Sequence, residues 1–279
     1  MGLFDALCGT DSISNEAVAA CEIHRVHAKQ KGVSLALTCR YSTLASSDAG
    51  RAAWVALLLR PTSGMGPPRV VVDLSWADAG IATMELNDAM TLNAMTPELL
   101  LGLSFWLRSV LACDSARGVV LQAVGPHFCT GGRYDAASQG KVPQWIHGSG
   151  LVLDRLRSSS LRSMSVLHGA SIGGGLMLGL VGDRRVCTGG AVFRLGVAPH
   201  GLSPIVLATR ELPRLTGSGV AAQMYLEDAR LDAREALVSG LAHRVSCDVG
   251  AARRWARSQA ACCASASPRS RVLDEAHLV

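Results

Sequence analysis

The chain has 279 residues, 49% of them hydrophobic, and a formal net charge of +5. That length suits one domain of about 200 residues plus an extension, and its singly scattered arginines do not form the dense basic stripe of a nucleic-acid binder. The nine cysteines are odd in number and never spaced C-x-x-C, which argues against a disulfide framework or a zinc site and favours a reduced, cytoplasmic protein. No apolar run reaches the ~18 residues needed to span a membrane.

Residues 1–68 read as an N-terminal extension, with helical patches around Glu16–Lys29 and Ala49–Leu59, closed by the Pro/Gly linker RPTSGMGPP. Its start, MGLFDALCGTDS, lacks the basic flank and apolar run of a secretory signal, and Ala6 stands where a myristoylation motif has Ser or Thr. From residue 69 the signals become regular. RVVVDLS and GIATMELN predict paired strands, PELLLGLSFWLRSVLAC an amphipathic helix with Pro97 in its first turn, and RGVVLQAVG a buried strand. A helix around Trp145–Arg157, the strand MSVLHG and a glycine-opened helix follow. DRRVCTG and AVFRL predict short strands, then come helices near Ile205–Glu211, Val220–Leu226 and Ala233–Ser239, the strand AHRVS and a helical tail. Strands alternating with helices over residues 69–279 predict an α/β layered domain.

Two glycine turns follow two buried strands: PHFCTGGRYD after VVLQAVG, and HGASIGGG after MSVL. Each chain reversal leaves backbone N–H groups without internal partners, able to point at one external oxygen. The second turn carries a competing signal, because Gly169-Ala170-Ser171-Ile172-Gly173 fits the G-x-S-x-G elbow of α/β-hydrolases. That alternative takes Ser171 as nucleophile, Asp183, Asp228 or Asp232 as the acid, and His243 or His277 as the base. It leaves FCTGG and the triple glycine without a purpose, and three glycines opening a helix cost roughly 1 kcal/mol each.

The order and spacing of GIATMELNDAMTLNAMTPELLLGL, PHFCTGGRYD, HGASIGGGLMLGLVGDRRV and LDAREALVSGLAHRV resemble the crotonase, or enoyl-CoA hydratase/isomerase, superfamily. The resemblance implies a β-β-α spiral core over residues 69–279 with surrounding helices and shortened C-terminal helices. It makes Gly132 and Gly174 the oxyanion-hole donors that bind a thioester oxygen, with Cys129, Thr130, Arg133 and Tyr134 lining the substrate side of the first turn. It implies an acyl-CoA or acyl-carrier-protein partner, no cofactor and no metal, and assembly as a trimer.

At the positions where hydratases of this superfamily carry two water-activating glutamates, the resemblance puts Met177 and Val197. Neither side chain moves a proton, and acid–base assistance is worth roughly 10²- to 10⁴-fold, so hydration is not expected. An enolate-stabilising hole remains useful for decarboxylation, in which loss of CO₂ supplies the electrons without a base. Apolar replacement of both acids and the stretch FRLGVAPHGLSP look closest to the polyketide β-branching decarboxylases. In that branch a loop lysine and a late histidine act on the substrate, which implicates Lys141 and His277; His200, three residues past Val197, is a further candidate to protonate the enolate. A non-catalytic crotonase-fold protein that keeps the acyl-binding shape is the remaining alternative.

Overall fold

The computed structural model describes residues 35–36, 56–58, 60–61, 70–75, 80–96, 116–132, 161–204 and 207–264, with parts of 99–111 and 153–159. Twelve strands are present among them: β1 (Leu35–Ala36), β2 (Ala56–Leu58), β3 (Arg60–Pro61), β4 (Val70–Ser75), β5 (Ile81–Leu86), β6 (Gly118–Ala123), β7 (Arg162–Leu167), β8 (Ala170–Ile172), β9 (Arg184–Thr188), β10 (Val192–Arg194), β11 (Arg230–Asp232) and β12 (Arg244–Ser246). They form a seven-stranded sheet in the order β12-β9-β7-β6-β5-β4-β2, a three-stranded sheet β11-β10-β8, and the pair β1-β3. The predicted α/β class is correct.

The expected hairpin is found, with β4 and β5 antiparallel from Val70↔Leu86 to Ser75↔Ile81. From β5 onward the large sheet is parallel, and β6 is buried at all six positions, as a strand covered on both faces must be. Alternation along the strands sends residues to two cores. Val119, Leu121 and Leu167 face one with the 174–180 and 207–226 helices, while Val120, Met164, Val166 and Val186 face the other. The Val249–Ala264 helix closes that second core with Ala252, Ala256 and Ala260, all fully buried and spaced at i, i+4 and i+8 on one face. Small side chains bring it close: the Cβ of Ala260 would lie 3.5 Å from one added at Gly118.

Two sequence expectations need correction. Residues 56–58, inside the patch expected to be helical, form an edge strand antiparallel to β4, so sheet pairing overrides the local Ala/Leu preference for helix. The helices expected near Ile205–Glu211 and Val220–Leu226 are found within Leu207–Leu226, on either side of a kink at Gly217 (φ 79°, ψ 156°), the first of them containing Pro213. Of the small sheet only β10 was anticipated, in AVFRL; β8 and β11 have three residues each, too few to show a period. The helical patch near Glu16–Lys29 and the expected helix over 265–279 lie outside the described residues.

Candidate active site

The two glycine turns lie against each other. Phe128 N–H donates to His168 O (2.8 Å), Cys129 N–H to Ala170 O (3.2 Å), and Ile172 N–H to Cys129 O (3.1 Å), so residues 128–129 run as a short parallel ladder beside β8. The first turn is then tied to the 88–95 segment, with Thr130 N–H donating to Leu92 O (3.3 Å) and Met95 N–H to Gly131 O (2.9 Å). All described peptide bonds are trans, and in a trans unit the C=O of one residue and the N–H of the next point in opposite directions. The 131–132 peptide gives its carbonyl to Met95. Its Gly132 N–H therefore points away from the Met95 segment.

The second donor is fixed in the same way. Gly173 (φ 54°) is the N-cap of the Gly174–Leu180 helix; its N–H goes to Arg194 O (3.0 Å), and its carbonyl accepts from Met177 N–H (3.1 Å) inside the helix. Gly174 N–H consequently points out of the helix start, one of the N–H groups that have no intrahelical partner. A Cβ on Gly131 would lie 2.5 Å from Ile172 O and 3.4 Å from Gly174 N. The two turns are thus packed backbone to backbone at the residues next to the two donors.

Around this pair, Met177 follows Gly174 by three residues on the helix and is buried, and Val197, also buried, caps the Ala198–His200 turn. Val197 O accepts from His200 N–H and Leu202 N–H, both at 3.1 Å. Its approach is pinned by Asp228, which accepts from Gly196 N–H (3.0 Å) and from the Arg194 guanidinium. That hydrogen bond from Arg194 holds the Asp228 carboxyl below the usual carboxylate range. His200 sits on the surface of the turn. Thr130 is half-buried and donates through Oγ1 to Leu92 O (3.3 Å). Cys129 is fully buried beneath the helix, where burial pushes its thiol up to about 12, so it is a neutral packing group at any ordinary pH. Arg133, Tyr134, Lys141 and His277 lie outside the described residues.

The serine-nucleophile alternative does not survive this geometry. Ser171 lies within β8, paired with Phe193, not at a strand–helix elbow, and it is fully buried. Its Oγ has no hydrogen-bond partner among the described residues. The acids are engaged elsewhere: Asp183 with Arg157, Asp228 with Arg194, and Asp232 as the cap of the Ala233–Val238 helix. His243 accepts at Nδ1 from Arg185 N–H. A cavity of about 280 Å³ opens between His127, Ile172, Val192, Arg194 and Arg230, and none of Gly132, Gly174, Met177 or Val197 lines it.

Sequence reasoning missed the residues that hold the turns. Gly131 (φ 87°) and Gly175 each face backbone of the other turn: a Cβ on Gly175 would sit 2.7 Å from the carbonyl carbon of Cys129 and 2.8 Å from its Cβ. The clue available was the run of consecutive glycines, which marks close backbone approach without saying which residue needs it. Asn93 and Met95 gave no signal, since the first-turn and loop carbonyls they hold are more than 30 residues away in the chain.

Comparison with known proteins identifies the family. The family model described as enoyl-CoA hydratase/isomerase matches residues 77–276. The chain is 30% identical over 172 residues to the "Probable enoyl-CoA hydratase 2, mitochondrial" of Arabidopsis thaliana, covering 60% of this chain and 57% of that protein. It is 32% identical over 200 residues to a "Probable enoyl-CoA hydratase" of Mycobacterium leprae, covering 65% and 67%. Among solved structures, it matches the enoyl-CoA hydratase/isomerase of Pseudoalteromonas atlantica T6c with a TM-score of 0.63 at 26% identity, covering 72% of this chain and 78% of that one. It also matches a Thermobifida fusca YX protein solved with acetoacetyl-CoA, with a TM-score of 0.62 at 26% identity, covering 71% and 83%. With the matched model spanning most of its length, and with the two glycine turns facing each other inside that span, the chain belongs to the enoyl-CoA hydratase/isomerase family of the crotonase superfamily.

Proposed function

We propose that this chain binds an acyl thioester, carried on CoA or on the phosphopantetheine of an acyl carrier protein, and stabilises its enolate without hydrating it. The observation that carries the reading is a pair of main-chain donors, Gly132 and Gly174, accompanied by two buried apolar side chains, Met177 and Val197. A thioester oxygen received by both N–H groups gains most when it becomes an enolate oxygen, because donors aimed at developing charge are worth roughly 10²- to 10³-fold each. The solved Thermobifida fusca relative holds acetoacetyl-CoA, a β-keto thioester of the kind that enolises, which supports acyl-CoA as the ligand class.

For a 3-methylglutaconyl-type thioester the step balances without an enzymic base. The bond between the terminal carboxylate and its neighbouring carbon breaks, CO₂ leaves, and the bonding pair moves through the double bond into the thioester oxygen. The dienolate held by Gly132 and Gly174 then takes one proton on carbon. His200, on the turn that begins at Val197, is the proton donor in this reading, with His277 the alternative; Lys141 attracts the substrate carboxylate. Cys129 contributes through the backbone it braces, while Thr130, Arg133 and Tyr134 contact the carrier side of the thioester. Self-association as a trimer belongs to the same reading.

The test is direct. Purified protein is given 3-methylglutaconyl-CoA and crotonyl-CoA in parallel, with products read by mass spectrometry. Loss of CO₂ from the first and no water addition to the second are expected. Robust hydration of crotonyl-CoA refutes the reading, and binding of both without turnover leaves a non-catalytic acyl-thioester binder.

A further inference from the structure

We propose that Asn93 is a positioning residue for the first oxyanion donor, acting through the loop that delivers Gly132; this rests on the acyl-thioester reading above. The loop 124–127 connects the end of β6 to the Phe128–Gly132 segment. Two side chains reach its carbonyls from outside. Asn93 Nδ2 donates to Val124 O (2.8 Å) and to His127 O (2.9 Å), and His168 Nε2 donates to Gly125 O (3.0 Å). Asn93 holds both ends of the loop, with His168 on a carbonyl between them.

The asparagine is itself fixed. It is fully buried, its Oδ1 accepts from Asp88 N–H (2.8 Å), and its own N–H donates to Asp88 O (2.8 Å). Its backbone is left-handed (φ 54°), as is that of Leu92 before it (φ 57°). Non-glycine residues in this region are strained, and asparagine tolerates it better than most. The residues flanking Asn93 hold the far side of the same turn: Leu92 O receives Thr130 N–H, and Met95 N–H donates to Gly131 O. Asn93 therefore stands where the supports before and after the first oxyanion turn meet. A shift of this segment moves both attachments of the 131–132 peptide, and a misplacement of about 1 Å in such a donor can cost roughly 10²-fold.

A clamp of this kind predicts a selective defect. Hydrogen bonds to a charged acceptor are about twice as strong as neutral ones, so a displaced donor weakens enolate binding more than binding of a neutral thioester. The ligands are acetoacetyl-CoA at alkaline pH, with its enolate followed by ultraviolet absorption, and butyryl-CoA, which forms no stable enolate; affinities come from calorimetry. The variants are Asn93→Gly, which keeps the left-handed backbone and deletes the clamp, and Asn93→Asp, which keeps the acceptor for Asp88 N–H but loses both donors. For folded variants, a loss of about 10-fold or more for acetoacetyl-CoA, with butyryl-CoA changed by less than about 3-fold, is expected. Equal losses for both ligands, no loss for either, or failure of both variants to fold overturns the proposal by making Asn93 structural only. If the unaltered protein binds neither ligand, the acyl-thioester reading falls and this inference with it, a result distinct from the others because no variant is involved.

Discussion

Gly175→Ala tests the packing on which the site depends. An added Cβ would sit 2.7 Å from the Cys129 carbonyl carbon and 2.8 Å from Cys129 Cβ, and nearer still to the carbonyl oxygen, whereas ordinary contact begins near 3.4 Å. The helix and the 128–129 segment must separate by more than the roughly 0.7 Å that the carbonyl carbon alone requires, because the oxygen is closer. The obstruction is largely backbone, already committed to Ile172 N–H at 3.1 Å, so it cannot swing aside. Alanine gains about 1 kcal/mol of helix propensity over glycine, and overpacking a tight contact costs about 1–3 kcal/mol. With backbone as the obstacle the upper end applies, leaving a net loss of about 2 kcal/mol, or a fall in Tm of roughly 4–8 °C for a domain of this size. The separation also draws Gly174 away from the first turn, and acyl-thioester affinity should fall with it. Thermal melting and calorimetry with acetoacetyl-CoA at alkaline pH measure the two effects, with Gly189→Ala as control because nothing lies within 4 Å of a Cβ there. A Gly175→Ala protein with unchanged Tm and unchanged affinity would refute the argument that these two segments set the site.

Ser171→Ala should leave stability the same or slightly raised, because it removes a buried hydroxyl with no partner among the described residues; thermal melting checks this, and a fluorophosphonate probe should label nothing at Ser171. Alkylation of the native protein followed by mass spectrometry should modify Cys247 and Cys262, which are exposed, and spare Cys129 and Cys187, whose thiols burial pushes up to about 12 and about 11. Burial holds His168 below the ordinary histidine value, with the Arg253 and His127 charges adding to it. The unfolded chain therefore binds the proton more readily, and stability falls as pH drops below about 6.5 until the folded histidine also protonates. His168→Gln should reduce that slope in melts across the range without abolishing it, since His243, held down to about 4 by desolvation and the nearby Arg185 and Arg184, contributes in the same direction.

The strands β4, β5, β6, β7, β9 and β12 and the two glycine turns were legible because each rests on signals local in sequence: runs of apolar β-formers, and glycines at strand ends. Val70–Ser75 and Ile81–Leu86 appear where RVVVDLS and GIATMELN placed them. What failed was information carried by partners distant in the chain. Ala56–Leu58 is a strand because β4 offers it an edge, and β8 is a strand because residues 128–129 and β10 flank it. Ser171 looked like a nucleophile for the same reason. Five residues matched a pattern, while burial against Phe193 and beneath the Gly174–Leu180 helix is decided by elements the pattern does not contain.

The ladder between residues 128–129 and β8 has a consequence for how such a site changes over time. In the acyl-thioester reading both oxygen-binding groups, Gly132 and Gly174, belong to the main chain, and the turns that carry them are held by backbone pairing and by glycines that admit no side chain. Substitution of the surrounding residues leaves that pairing alone. A scaffold built this way separates a permanent function, holding an oxygen that becomes negative, from a replaceable one, supplying or withholding a proton. Exchange of two acids for a methionine and a valine would then redirect the chemistry with little disturbance to the fold, since both replacements sit among apolar neighbours in the core. The stringent positions are the small ones, Gly131 and Gly175, and a library varying Met177 and Val197 while holding those glycines would explore reactivity on an unchanged frame.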